Sequence, residues 1–277
     1  MKPRKILTLA DLHVGSRWGL WLPKFRVQDP RTGDDIEWIL NQTQKNLWAH
    51  WSKKMLPRIQ DVECIIIIGD VIDGLAKKDR GRGLVTSDLG WQTQCATEII
   101  RTLPEVPTYI LEGTDYHELE DGRSVEQTIA ESLPHATYGD ELVIEECGIR
   151  IFARHVIGAS TSTWQYMTTA PARDHMLLYL NKAEEKYGPI DVACFAHRHS
   201  FVAAEYPSGL AYVNPCWQTK THYAVKKGIV SPPDIGWITL NIFDKKCIAI
   251  DRSGITHLQR PCRIVGRDVK KPGRVQK

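Results

Sequence analysis

Short aliphatic runs alternate with longer amphipathic stretches through the first half of the chain, the pattern of a largely parallel sheet covered by helices. Lys5 to Asp11 reads as a first strand and Glu63 to Asp70 as a second. The run Cys64-Ile-Ile-Ile-Ile68 in the second carries no polar position, so burial on both faces is expected. Between the two, Ile36, Leu40, Leu47, Trp51 and Met55 recur at helical spacing and predict a helix over Asp35 to Ile59. Ser87 to Leu103 reads as a further helix and Thr108 to Thr114 as a third strand, while Ser124-Val-Glu-Gln127 has the Ser-x-x-Gln form of a capping box.

From about residue 138 the pattern changes to short strands with turn signals. Strands are expected at Glu141 to Glu146 and Arg150 to His155 around a Cys147-Gly148 turn, and at Asp191 to Ala196 after a helix over Arg173 to Tyr187. Two further hairpins turn at Pro207-Ser208-Gly209 and at Asp244-Lys245-Lys246. Residues 14–34 are the longest loop, a length common in binding elements and lids. The chain thus reads as α/β (α+β), with one domain over residues 1–258 and a basic tail over 259–277.

Composition narrows the class. Of 277 residues, 42% are hydrophobic and 25% charged, values that argue against a disordered, collagenous or coiled-coil chain. No apolar run approaches the ~20 residues of a membrane helix, and Ile6 to Ala10 is too short for a secretory signal, so a cytoplasmic protein is expected. Seven scattered cysteines without a C-x-x-C pair favour reduced thiols. The net charge of +3 is uneven: residues 259–277 hold seven Lys/Arg against one Asp, leaving the first 258 residues at −3. A solvated tail is the simple reading of that charge, and a nucleic-acid contact the sharper one.

Acidic residues and histidines gather at the predicted strand exits, where α/β sheets bind ligands. The first strand ends Asp11-Leu12-His13, the second Gly69-Asp70-Val71-Ile72-Asp73, and the third Gly113-Thr114-Asp115-Tyr116-His117-Glu118. His155 closes a later strand, and His197-Arg198-His199 follows another. Each motif alone is weak, since an Asp at a strand exit often only caps a turn. Together they suggest a carboxylate and imidazole ligand set, suited to Mn, Fe, Zn or Ni.

These residues resemble the calcineurin-like metallophosphoesterases, whose signature runs D-x-H, G-D-x-x-D, G-N-H-D/E, H and G-H-x-H. Asn214-Pro215 is similar to the start of that family's N-P-G-S segment. The resemblance implies two mixed sheets packed as a sandwich flanked by helices. It also implies two divalent metal ions, Mn foremost, with Asp11, His13 and His199 on one, His155 and His197 on the other, and Asp70 bridging. His117 would be the catalytic histidine beside the scissile phosphate, the candidate general acid. The two ions would acidify a bridging water and hold a phosphate oxygen for in-line attack.

Three positions depart from the family pattern. The Asn ligand is absent, leaving Asp115, Thr114 or a water in its place, with Asp115 favoured as the harder ligand. Ala196 replaces the Gly of G-H-x-H, and Cys216-Trp217 replaces Gly-Ser. Asp73 is expected to cap its loop or orient a neighbour, and Arg198 to contact phosphate, solvent or an ion-pair partner. The expected substrate is a phosphate ester. The opening Asp11-Leu-His-Val-Gly15, similar to that of double-strand-break repair nucleases in the superfamily, tilts the reading to a phosphodiesterase acting on DNA, RNA or a nucleotide. Trp18, Trp21, Lys24 and Arg26 could then meet a strand by charge and stacking, or the tryptophans could pack the loop. A phosphomonoesterase and a catalytically silent metal-binding docking protein are the alternatives.

Overall fold

The computed structural model describes residues 2–29, 31–76, 80–114, 124–157, 166–181, 187–229, 231–244 and 247–258. A first sheet contains β1 (Arg4–Ala10), β4 (Cys64–Ile68), β5 (Thr108–Leu111), β6 (Ala136–Gly139), β12 (Ile238–Asp244) and β13 (Cys247–Asp251). Its order is β13-β12-β1-β4-β5-β6, parallel from β1 to β6 and antiparallel at the β12 and β13 edge. A second sheet contains β7 (Glu141–Glu146), β8 (Ile149–Arg154), β9 (Val192–Phe195), β10 (Val202–Tyr206) and β11 (Gly209–Val213), in the order β10-β11-β9-β8-β7. β8, β9 and β11 run parallel, with a hairpin at each edge. Two mixed sheets flanked by helices are the expected architecture.

The alternation of side chains along a strand explains how the layers form. On β4, Cys64, Ile66 and Ile68 face the second sheet and meet Ile151, Val192, Cys194 and Tyr212. Ile65 and Ile67 face the other way, against helices α1 (Gln42–His50), α2 (Leu89–Ile100) and α3 (Val125–Glu131). The second sheet is covered on its far side by α4 (Thr169–Asn181), where Phe152, Phe195 and Val213 meet Ala170 and Leu178. A central strand in a four-layer stack has no solvent face, hence the unbroken run of isoleucine.

Several elements differ from the sequence expectation. Asp35–Glu37 is a strand, β3, paired with β2 (Arg26–Gln28), so the long loop contains a small hairpin of its own. The helix begins later, where Asn41 caps Gln44 and the Gln44 side chain returns to the Asn41 N–H. It then widens into a π turn over Trp51–Met55 and a 3-10 turn over Leu56–Arg58, where Pro57 has no N–H to continue the ladder. Ser124 does cap α3, but its hydroxyl pairs with Glu126, and Gln127 bonds Glu131 on the surface. The helix expected at Arg173 starts four residues earlier at Thr169. β6, unforeseen, is short and half-exposed, with too little apolar pattern to signal a strand. The turn Lys245-Lys246 and the basic tail lie outside the described residues.

The sheets are also joined by polar contacts. Asn214, fully buried at the end of β11, accepts from the Thr8 hydroxyl of β1 at 2.7 Å and donates to the Phe195 carbonyl of β9 at 3.1 Å. Tyr212 donates to the same Thr8 oxygen at 3.1 Å. Replacing Asn214 with Leu leaves the Thr8 hydroxyl without its buried acceptor, so Asn214→Leu is expected to lower stability by about 1–3 kcal/mol. Urea unfolding should show this as a lower midpoint at unchanged slope.

Candidate metal centre

The parallel parts of both sheets present their carboxyl ends at one edge of the sandwich, and the ligand-type residues lie there. The loops after β1 and β4 are laced together: Asp11 N–H donates to the Gly69 carbonyl, His13 N–H to that of Asp70 and Val14 N–H to that of Val71, at 3.0 to 3.1 Å. The loop after β11 is joined to them by the Trp217 N–H, 2.9 Å from the Asp11 carbonyl. Asp11, His13, Asp70, His197 and His199 all have left-handed backbone, with φ between 46° and 71°. For residues with a Cβ this is a costly conformation that clusters at functional sites.

Each buried carboxylate gives one oxygen to the frame and turns the other toward imidazoles. Asp11 Oδ2 accepts from the His197 N–H at 3.1 Å, and Asp70 Oδ1 from the Thr114 N–H and hydroxyl at 2.7 and 3.0 Å. Asp11 Oδ1 then lies 3.2 Å from His199 Nε2 and 3.8 Å from His13 Nε2. Asp70 Oδ2 lies 3.3 Å from His155 Nε2 and 3.9 Å from His13 Nε2. Two groups result, Asp11-His13-His199 and Asp70-His155-His197, whose donor atoms within each group all lie within 4.8 Å of one another. Asp70 reaches toward both groups. Asp115, His117 and Glu118 lie outside the described residues.

The histidines are oriented from behind. His155 Nδ1 is 2.8 Å from the Ile68 carbonyl, a contact that puts a hydrogen on Nδ1 and turns Nε2 toward the carboxylates. Asp73 Oδ1 lies 3.1 Å from His13 Nδ1, so Asp73 orients a histidine, as expected of it. Gly69 (φ 66°) allows the close approach: a Cβ there would fall 2.6 Å from His155 Nδ1 and from the Glu112 carbonyl. Gly113 backs directly on Asp70, whose Oδ1 and N would lie 2.4 Å from an added Cβ. Arg198, between the two histidines, is exposed.

A divalent cation fits this cluster. Asp11 Oδ1 and His155 Nε2 are buried without a hydrogen bond among the described residues, and the six donors are oxygen and nitrogen only. Without a cation, protons do its work. Burial pulls the His155 imidazolium down, but the charge and close approach of Asp70, with Asp11 behind, lift it to about 9. His199 is likewise raised against the cost of burial, by Cys216 and Asp11. Burial would raise the Asp11 carboxyl, yet His199 and His155 hold it below the usual range. His197, nearest solvent, is lowered by burial and by the charge of His155.

Carboxylates and imidazoles thus meet at the strand ends of two facing sheets. No protein-family profile and no curated protein sequence matches the chain significantly. Among solved structures it aligns with a Vps29 single mutant from Entamoeba histolytica at 11% identity and TM-score 0.41, over 92% of this chain and 99% of that one. A novel archaeal phosphodiesterase aligns at 12% identity and TM-score 0.43, over 91% and 99%. Wild-type Vps29 complexed with zinc, from E. histolytica, aligns at 11% identity and TM-score 0.38, over 89% and 97%.

Sequence reasoning missed the residues that brace this edge. Glu126 accepts the Val71 N–H at 3.1 Å, Gln92 holds the Gly74 N–H and carbonyl at 3.0 Å each, and Gln218 donates to Asp73. They belong to no motif, and a single buried amide or acid leaves no periodic signal. Trp21, weighed as a stacking residue, is a core side chain 1% exposed and edge-on to Phe25. Trp18 is half-buried, its ring packed on Gly83.

The raised His155 value stabilises the metal-free fold in full below the unfolded imidazole's 6.5, and this contribution is lost as pH rises through about 9. The metal-stripped protein should therefore melt at progressively lower temperature from pH 6.5 to 9. The gain from added Mn²⁺ should grow over the same interval, because the cation displaces those protons. Thermal melting with and without Mn²⁺ reads both, and an equal gain at pH 6 and pH 9 would contradict this electrostatic account.

Proposed function

We propose that the chain is a metal-dependent phosphoric ester hydrolase that cleaves phosphodiesters, with nucleic acid or a nucleotide as its substrate class. The observation that carries this reading is the pair of three-donor groups set side by side, with Asp70 Oδ2 within 3.9 Å of an imidazole from each. Asp11, His13 and His199 would hold one divalent ion, His155 and His197 the other, and Asp70 both. Ions bound there supply Lewis acidity toward a phosphoryl oxygen and acidify water. Manganese is the first choice for a mixed carboxylate and imidazole set.

The chain's own residues do the rest. Asp11 and Asp70 hold fixed negative charge in a site from which water is largely excluded, so a phosphate anion binds only once that charge is balanced. His117 is assigned the general acid that protonates the leaving alkoxide, and Asp115 the place of the family Asn ligand. Arg198, exposed between His197 and His199, is placed to meet a phosphate oxygen as the ester enters. The diester preference draws on the first loop, where Trp18, Lys24 and Arg26 offer a ring and two cations, and on the basic tail. A cytoplasmic protein is proposed with it.

The test is hydrolysis of bis-p-nitrophenyl phosphate beside p-nitrophenyl phosphate, with Mn²⁺ supplied or chelated. Diester cleavage should need Mn²⁺, should be abolished by Asp70→Asn and should fall about 10²–10⁴-fold in His117→Ala. Cleavage of the monoester alone would move the assignment to phosphomonoesterase. Bound metal without turnover of either would replace the enzyme by a metal-dependent binding protein.

A further inference from the structure

Behind His13 a buried amide is joined to the metal edge by two hydrogen bonds. Gln218, 5% exposed on the loop after β11, spends both hydrogens of its Nε2. One goes to Asp73 Oδ1 at 2.8 Å and the other to the Ser16 hydroxyl at 3.1 Å. The same Asp73 oxygen lies 3.1 Å from His13 Nδ1. Ser16 belongs to the turn that follows His13, where its N–H donates to the His13 carbonyl at 3.1 Å. Gln218 therefore grips His13 from two sides, through the carboxylate that meets its ring and through the turn that holds its backbone.

The chemistry explains why an amide suits this place. The Asp73 carboxylate approaches His13 at Nδ1, and the opposite nitrogen, Nε2, faces the side where Asp11, Asp70 and His199 converge. A cation in place of Gln218 would neutralise Asp73, and a carboxylate would repel it. A neutral donor fixes the position of Asp73 without competing for its charge. His13 has left-handed backbone at φ 46°, a conformation that needs such outside support.

We propose that Gln218 is a positioning residue for the Asp11-His13-His199 metal group, acting through Asp73 on the orientation of His13. This rests on the metal-binding part of the functional reading and not on turnover or substrate. The side chain can be altered without unthreading its loop, because the flanking residues have anchors of their own. Trp217 N–H donates to the Asp11 carbonyl at 2.9 Å and Thr219 N–H to that of Trp18 at 2.8 Å.

The test is calorimetric titration of Mn²⁺ into the metal-stripped full chain, with His13→Ala identifying the binding step that belongs to this group and His155→Ala the other. Gln218→Met, of similar volume but without a donor, should weaken the His13-dependent step about 10–100-fold and leave the other step unchanged, in a chain that still melts cooperatively without metal. Asp73→Ala should weaken the same step, and the double variant should lose less than the sum of the two, since Gln218 acts in part through Asp73. Unchanged affinity in Gln218→Met, equal weakening of both steps, or losses that add in the double variant would overturn the assignment. A wild-type chain that takes up no Mn²⁺ would overturn the metal reading itself and this inference with it.

Discussion

Asp11 and Asp70 are both almost fully buried, and their facing oxygens lie 4.0 and 3.3 Å from the same nitrogen, Nε2 of His155. Removing one carboxylate from water already costs several kcal/mol unless it is paired, and two close together oppose each other as well. The four histidines around them answer this in one of two ways, by holding protons or by giving them up to a cation. Both states need imidazoles at the same places. The electrostatic demand of the carboxylates therefore dictates where His13, His155, His197 and His199 must stand, and the layering of the fold brings their strands to one edge.

That placement is costly to the backbone. Left-handed φ at a residue with a Cβ costs of order 1–3 kcal/mol, and five of the six ligand-type residues adopt it. The loops bear this because they are bonded to each other as well as to the sheets. Asp73 N–H donates to the Val14 carbonyl at 2.8 Å, Gln44 reaches the Ser16 carbonyl at 3.2 Å, and Gln92 clasps both ends of the Gly74 peptide. Buried glutamines thus recur behind the site. An amide can satisfy a donor and an acceptor at once without adding charge to a cluster already crowded with it.

The fold was legible where burial imposes a period. The isoleucines of β4 could only be a doubly covered strand, and the turn at Pro207-Ser208-Gly209 could only join two antiparallel runs. Boundaries were less legible, because local bonds decide them. Asp35–Glu37 pairs as a strand with Arg26–Gln28 although Ile36 continues the helical spacing, and Asn41 starts α1 by capping Gln44. The acids and histidines of the metal edge were legible as motifs because ligand chemistry restricts residue type. Gln92, Glu126 and Gln218 were not, since the same contacts could come from other side chains on other elements and only the folded chain shows which ones are near.

The missing Asn of the third motif can be followed one step further through Thr114. Its N–H and hydroxyl both reach Asp70 Oδ1, the oxygen turned away from the imidazoles, while His13 and His155 approach Oδ2. Two donors on one oxygen fix the carboxylate plane. With its hydrogen spent there, the Thr114 hydroxyl serves as a clamp on the shared carboxylate. The expected replacements for the amide ligand, Asp115, water or the lone pairs that the Thr114 oxygen keeps, differ in charge: a third carboxylate would deepen the negative charge that any bound cation must balance, whereas a water would leave a position open to an incoming phosphate oxygen.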